Sequence, residues 1–493
     1  MDTYNKYAAL ADTIQIKDIT SNKDKQNILK KLKDNDANFN QMWISDEDQV
    51  IEPSVDYDFD SAEELGWLGY YIGQNTSLEE LNFRHSPPAS YHRGIEVFRR
   101  GIGHNNSIKT LSFGGEFSFG GSVLPMLDTF LKNNNNLSDI DIECCEFGVE
   151  DARQLSLALG GCNKSLKHFR LYESNLQDGQ LVDIITALSM HPQLTVLRLS
   201  HVNIGTNECS VLSTLLRWTT TKLRTLNLHG NSINDEELEV LVDALANINT
   251  LGELNLPWNQ TITIKGWKVV STLLEMPGSK LEALHIHHNN IGDEGGLIFV
   301  KALAKNTTLQ TLSVHSNGIT REGWAPFSKL LCDTSSVNKT FMSNHTLTSF
   351  GSRSLTNVTD SQSLLALNRI VDKQHVAITK ILQNHSHFDM QPFFEWDFKV
   401  LPIMVEWFTK ASTFCTIEYE EKIKKMRLSA VYDFIREFPM LYVEARTREE
   451  IKKHTSLEMQ IQRAQLRLQR EQMQLASQLE EVQQCKARAM RRL

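Results

Sequence analysis

The sequence predicts an α/β solenoid, with short parallel strands lining a concave face and a helix on the convex face after each, followed by an α-helical C-terminal region with a long terminal helix. Three observations carry this reading. An apolar residue opens a similar segment at Leu78, Ile108, Leu137, Leu166, Leu194, Leu223, Leu251, Leu281 and Leu309, in steps of 28 to 30 residues, and a period in that range means stacked strand-and-helix units. In Leu223-Arg-Thr-Leu226-Asn-Leu228 the later leucines alternate with polar residues, the pattern of a strand with one buried face. After Ile233, Asn234 and three acids make a helix-start signal, and Leu238, Leu241, Val242 and Leu245 fall on one helical face. Neither half of a unit can bury its apolar face alone, so neighbouring units must stack.

Taken in order, residues 1–23 read as an N-terminal tail and 24–360 as the solenoid. Ile28 to Leu32 suggests an opening helix, and Phe39 to Ile44 a first, degenerate strand. The step from Phe39 to Leu78 is longer than the others, and the excess is an acidic insertion at about 46–62 that is expected to loop out. From Asp34 to Phe83 there are thirteen acids and no lysine or arginine. That run reads as a solvated acidic loop or as a docking strip for a basic partner.

In the clearest repeats Asn231, Asn259, Asn289 and Asn317 stand where the chain leaves the strand. A buried amide there can satisfy backbone groups of adjacent turns, so the expected role is structural. Cys145, Ser174 and Val202 occupy the same position in earlier, less regular units. Triplets such as Asn136-Leu-Ser138 and Asn306-Thr-Thr308 read as repeat punctuation, and Cys144-Cys145 as core filler rather than a redox pair. His345 to Phe350 reads as a last, truncated strand.

Beyond it, residues 361–444 read as a helical capping region, with an aromatic-rich block from Phe394 to Phe408 hiding the exposed end of the array. Residues 445–493 contain no proline or glycine, and Ile461, Leu468, Leu475, Val482 and Ala489 keep a seven-residue row. The companion row holds Glu471 and Gln478. A coiled coil with self-association through 445–493, a helix laid on the solenoid and a lone projecting helix all stay open.

The repeat resembles the ribonuclease-inhibitor-like type of leucine-rich repeat, whose relatives include regulatory domains of intracellular receptors and the Ran GTPase-activating protein. The resemblance implies a leucine-rich-repeat horseshoe over roughly residues 24 to 360, and binding rather than catalysis. Leu65 to Leu78, Ser335 to Leu347 and Lys399 to Met404 are also similar to uncharacterised diatom leucine-rich proteins, a likeness that implies no function.

Composition narrows the function. The 493 residues are 41% hydrophobic and 23% charged, with a net charge of -9. That balance suits a folded protein and argues against nucleic acid as the main ligand. No apolar run is long enough for a membrane span, the N-terminus lacks a signal-peptide stretch, and the seven cysteines are scattered. A cytoplasmic or nuclear home is therefore expected. No GxxxxGK[ST] loop, GxSxG elbow, HExxH or paired CxxC occurs, so no catalytic residue, cofactor or metal site is expected.

Strand alternation instead selects a displayed face. Asp139, Asp141 and Glu143 make an acidic patch, and His168, Arg170, Tyr172 and Arg198 a basic-aromatic one. His229, His285, His287 and His315, with Trp258 at the rim, make a histidine group. Patches of opposite sign with aromatic anchors suit a protein partner. A plainer reading is cross-strand pairing, such as Asp141 with Arg170. The leading expectation is a non-enzymatic interaction scaffold binding a protein on the concave face. The alternative is a regulator of an enzyme, a small-GTPase activator or an inhibitor, with Arg170 and Arg198 as candidates to reach its active site.

Overall fold

Among the described residues eleven strands form one parallel sheet: β1 Gln41–Ile44, β2 Asp56–Tyr57, β3 Glu80–Phe83, β4 Thr110–Phe113, β5 Asp139–Glu143, β6 His168–Tyr172, β7 Val196–Ser200, β8 Thr225–Asn227, β9 Glu253–Asn255, β10 Ala283–His285 and β11 Thr311–Ser313. Their order is β11-β10-β9-β8-β7-β6-β5-β4-β3-β1-β2. The computed structural model describes residues 3–45, 52, 54–114, 128, 130–148, 150–161, 165–176, 179–217, 222–351 and 359–385. The expected aromatic block, and the long helix over 445–493 with its coiled coil, lie outside the described residues.

Register is constant along the array. Leu226 pairs with Leu254, Leu254 with Leu284 and Leu284 with Leu312, and all four are buried in one continuous core. A parallel pair needs a crossover element, and helices such as Asp235–Leu245, Ile264–Glu275, Gly292–Leu303 and Arg321–Leu331 supply it on one side of the sheet. The first of these starts with a capping box: the Asn234 side chain accepts from the N–H groups of Glu236 and Glu237, and the Asn234 N–H donates to the Glu237 carboxylate. Leu238, Leu241, Val242 and Leu245 are buried, as their spacing predicts. The truncated last strand extends the sheet by one rung, with Leu312 N–H donating to Ser349 O at 2.9 Å and Ser349 N–H to Gln310 O at 3.1 Å.

Two asparagine ladders tie the turns together. At the strand exits the Asn231 amide accepts from Val202 N–H at 3.0 Å and donates to Leu199 O at 2.6 Å, and Asn259, Asn289 and Asn317 repeat the arrangement. Ser174 does part of this job in an irregular unit, its hydroxyl accepting from Cys145 N–H and donating to Tyr172 O. The second ladder precedes the strands and was not read from the sequence. Asn75, Asn105, Asn134, Asn306 and Asn344 each stand three residues before an opening apolar residue and accept from its N–H. Their amides donate to carbonyls one unit back, for example Asn134 to Ile108 O at 3.0 Å.

Both ends differ from the expected outline. The segment read as a tail contains the helices Thr3–Leu10 and Ile16–Ile19. Tyr7 meets Trp67 edge-on at 4.8 Å, and Tyr4 lies 5.6 Å from the Tyr70 ring, so aromatic burial holds this segment against the helix Ala62–Gln74. That helix touches the helix His92–His104 backbone to backbone, since a Cβ on Gly69 would meet Phe98 and one on Gly101 would meet Gly69.

The acidic insertion does not simply loop out. Asp56–Tyr57 adds the edge strand β2 beside β1. The cause is Lys25, whose ammonium lies 2.9 Å from Asp58, 3.0 Å from Asp60 and 3.9 Å from Glu64. A lysine of the chain itself, not a basic partner, occupies these carboxylates.

At the other end, the helices Thr359–Leu367 and Lys373–Asn384 follow the last strand, with Leu365, Val376 and Ile381 buried. The Lys380 side chain donates to Leu331 O at 2.7 Å and Asn344 O at 3.1 Å. It thus meets a carbonyl orphaned at the end of the helix Arg321–Leu331. Burial pushes the Lys380 ammonium down to about 7.

Candidate partner-binding face

The face of the sheet away from the helices displays alternate strand residues in rows, one residue per unit. One row runs Asp141, Arg170, Arg198, Asn227, Asn255, His285 and Ser313. The next displayed position holds Glu143 and Tyr172, then His229, His287 and His315 farther along the array. All twelve residues expected on a binding face lie on this face or at its rim, but they do not act as one patch.

The expected acidic and basic patches largely cancel. Asp139 bonds the His168 ring, and Asp141 lies 3.5 Å from the Arg170 guanidinium. These are cross-strand pairs set by the register, which is the plainer of the two readings. Burial raises the Asp141 carboxyl above the ordinary range, although Arg170 and Arg198 pull it down. Glu143 and Arg198 remain exposed.

The chain leaves its strands by a left-handed residue in unit after unit: Cys144 (φ 53°), Glu173 (45°), His201 (53°), Gly230 (69°), Trp258 (58°), His288 (54°) and Ser316 (55°). Six of these seven are not glycine, and a non-glycine residue there costs about 1–2 kcal/mol. The turn aims each side chain along the rim. Glu173, His201 and Ser313 belong to the site and were missed in the sequence. The signal for the first two was the repeat register: each stands immediately after the last displayed strand residue, as Trp258 and His288 do. Cys144 also corrects an expectation, because it is exposed on this rim, 3.7 Å from Glu173, while Cys145 is core.

Rim and strand together build a stripe of rings. Tyr172 meets His201 edge-on at 5.6 Å, and His201 lies 4.7 Å from His229. Farther along, Trp258 stacks on His288 at 4.5 Å, and His287 stacks on His315 at 4.5 Å. His288 lies edge-on to both His287 and His315, at 5.6 and 5.5 Å. Trp258 is 46% exposed. Burial and neighbouring imidazoles hold His229, His287 and His315 below the ordinary histidine value, His287 at about 4. Burial does the same for His285, with Glu253 at 3.8 Å pulling the other way. At pH 7 His229, His285, His287 and His315 therefore favour the neutral ring. Among the described residues no three His, Cys, Asp or Glu side chains group as metal ligands.

Gly230 makes room for this stripe. A Cβ there would strike the His201 ring, and the residue sits at φ 69°. Gly230→Val is expected to expel the His201 ring from His229 and to cost about 2–3 kcal/mol, because a β-branched residue at positive φ is strained. Urea unfolding with a crystal structure of the variant checks this. Parental stability with the ring unmoved would contradict it.

An open parallel sheet of eleven in-register strands with one helix per unit on one face has the architecture of a leucine-rich-repeat solenoid. A family model described as Leucine Rich repeat matches residues 279–297 and 305–328. Among solved structures the chain is similar to one titled "Crystal structure of TLR13-ssRNA13 complex", at 16% identity and a TM-score of 0.36, covering 62% of this chain and 36% of that one. The chain thus spans about a third of the length of that neighbour. No curated protein matches. Among the described residues no helix is long and apolar enough to cross a membrane.

Proposed function

We propose that the protein is a non-enzymatic interaction scaffold that binds a protein partner on the helix-free face, through the ring stripe from Tyr172 to His315. The observation that carries this reading is the stripe itself. It places half-exposed rings at regular spacing, including a Trp and a Tyr, the residue types that dominate binding energy at protein interfaces. Left-handed turns at the strand exits hold the rim members at a fixed place in each unit. The ribonuclease-inhibitor-like type is our reading of the repeats, supported by the helix that follows each strand from β5 to β11.

Affinity capture from cell extract with the intact protein, set beside a triple variant carrying Arg198→Ala, Trp258→Ala and His287→Ala, tests the proposal. Partners of the intact protein are expected to be lost, since truncating one aromatic anchor weakens binding about 30-fold. Equal recovery by both proteins would remove this face as the binding surface.

The second reading, control of an enzyme such as a small GTPase, rests on Arg198. Arg170 is occupied by Asp141, whereas Arg198 is exposed on the same row. A GTPase turnover assay with and without the protein separates the two readings, and the scaffold predicts no change in rate.

A further inference from the structure

Ser313 stands between two imidazoles. Its hydroxyl lies 3.1 Å from Nδ1 of His287 and 3.3 Å from Nδ1 of His315. The residue is 2% exposed, and Gly351, at φ 81°, closes against it so tightly that a Cβ there would strike the serine side chain. The two rings are stacked, with their planes 12° apart. A hydroxyl carries one proton and donates to one Nδ1 only. Among the described residues the hydroxyl has these two nitrogens as its hydrogen-bond partners, so its hydrogen goes to one Nδ1 and the other Nδ1 carries its own hydrogen, donated to the serine oxygen. Both rings are neutral at pH 7, so their tautomers are opposite. One ring offers an Nε2–H on its far edge, and the other an Nε2 lone pair. Neither Nε2 has a partner among the described residues.

A donor and an acceptor side by side complement a primary carboxamide, which carries C=O and NH2 on one edge. A trans peptide group does not fit, because its C=O and N–H point in opposite directions. A carboxylate offers acceptors only and would face the bare lone pair. We propose that His287, Ser313 and His315 form a carboxamide-binding notch that takes a glutamine or asparagine side chain of the protein partner, beside the Trp258–His288 stack. The proposal rests on the helix-free face being the partner-binding face.

The preference weakens as pH falls. A proton on the bare Nε2 gives the pair two donors, which suit a carboxylate. The titratable groups around the pair are His285 and His288 of the same unit, His229 two strands away, and Glu253 behind His285. The three imidazoles oppose the added charge, so this protonation falls below the ordinary histidine range.

Two measurements on the full chain test the notch. Long-range proton–nitrogen NMR with labelled histidine should show one Nδ1–H and one Nε2–H ring, assigned through His287→Asn and His315→Phe. Two rings of the same tautomer would overturn the proposal. N-acetyl-glutamine N-methylamide should then shift both Nε2 signals at pH 7 with an affinity about tenfold above its glutamate counterpart, the worth of one matched hydrogen bond. At pH 5, where the glutamate probe is still mostly ionised and the bare Nε2 begins to take its proton, the gap should narrow. Ser313→Ala should erase the discrimination, and so should His315→Phe, which keeps a stacked ring without nitrogens. Equal shifts from both probes in the parent protein would overturn the notch. This titration needs no partner, so its failure while capture still depends on Arg198, Trp258 and His287 removes the notch and leaves the face.

Discussion

Asn259→Ala is expected to destabilise the solenoid by about 3–5 kcal/mol, a loss that would unfold many domains of ordinary stability. Asn259 is 0% exposed. Its oxygen accepts from Asn231 N–H at 3.2 Å and Ile233 N–H at 3.0 Å, and its NH2 donates to Leu228 O at 3.0 Å and Leu256 O at 3.2 Å. Alanine leaves these groups buried without partners, and each unmet group costs about 1–3 kcal/mol. The damage should be local first, because each unit contacts only its neighbours. Hydrogen exchange on the parent and the variant checks this, with the Asn231 and Ile233 amides losing protection before those of β4 and β5. Asn259→Asp should be no milder, since it keeps the acceptor but loses the donor and buries a charge. Unchanged protection at Asn231 and Ile233 would show that the ladder is ornamental.

Asn259 could be picked from the sequence because its position recurs with the period. The same holds for most of the fold. Alternation in Leu226 and Leu228, and again in Leu284 and Ile286, sorted side chains into core and display, and the paired register honours that sorting. What stayed hidden depends on contacts between distant residues. β2 is two residues long and lies in an acidic run that reads as solvent-loving. It is held by Lys25, which stands 35 residues before Asp60. The N-terminal helices carry little amphipathic pattern and are set by the aromatic faces they meet.

The site was legible in its residue types and not in its arrangement. The displayed rows gave His287 and His315 as neighbours, and the structure stacks them. The rows also gave Asp141 and Arg170 as neighbours. Whether such a pair serves a partner or itself depends on side-chain reach, and here it closes on itself. Most of the rim was hidden for another reason. Trp258 was placed there by its position in the repeat, but Glu173 and His201 carry no sequence mark of a left-handed turn, as glycine would. Only their common place in the period, once the first is seen, exposes the rest.

Lys25→Met is the second large effect, an expected loss of about 3–5 kcal/mol at pH 7 centred on the first units of the array. Lys25 is 3% exposed and serves three carboxylates at once. Methionine fills its volume but strands them. Glu64 suffers most, because it is itself buried, accepting from Tyr57 OH at 2.8 Å and Asp60 N–H at 3.2 Å. Burial already raises the Glu64 carboxyl above its ordinary value, against the pull of Tyr57, Asp60 and Lys25. A carboxyl whose folded value lies above its unfolded one binds its proton more readily in the folded state. Stability therefore rises as pH falls through that folded value. Without Lys25 the folded value climbs further, so acidification from pH 7 toward 5 should return part of the loss. Lys25 has the same sign but acts in a much higher pH window. Burial alone would lower its ammonium, but Asp58 and Asp60 hold it above its ordinary value. Its contribution is full below about pH 10 and fades only as pH climbs through the folded value. Urea unfolding of parent and variant at pH 7 and pH 5 should thus show a gap that narrows with acid. Adding Glu64→Gln to the variant should narrow it at pH 7 as well. A gap that is the same at both pH values would mean that lost packing, rather than stranded charge, is what Lys25 prevents.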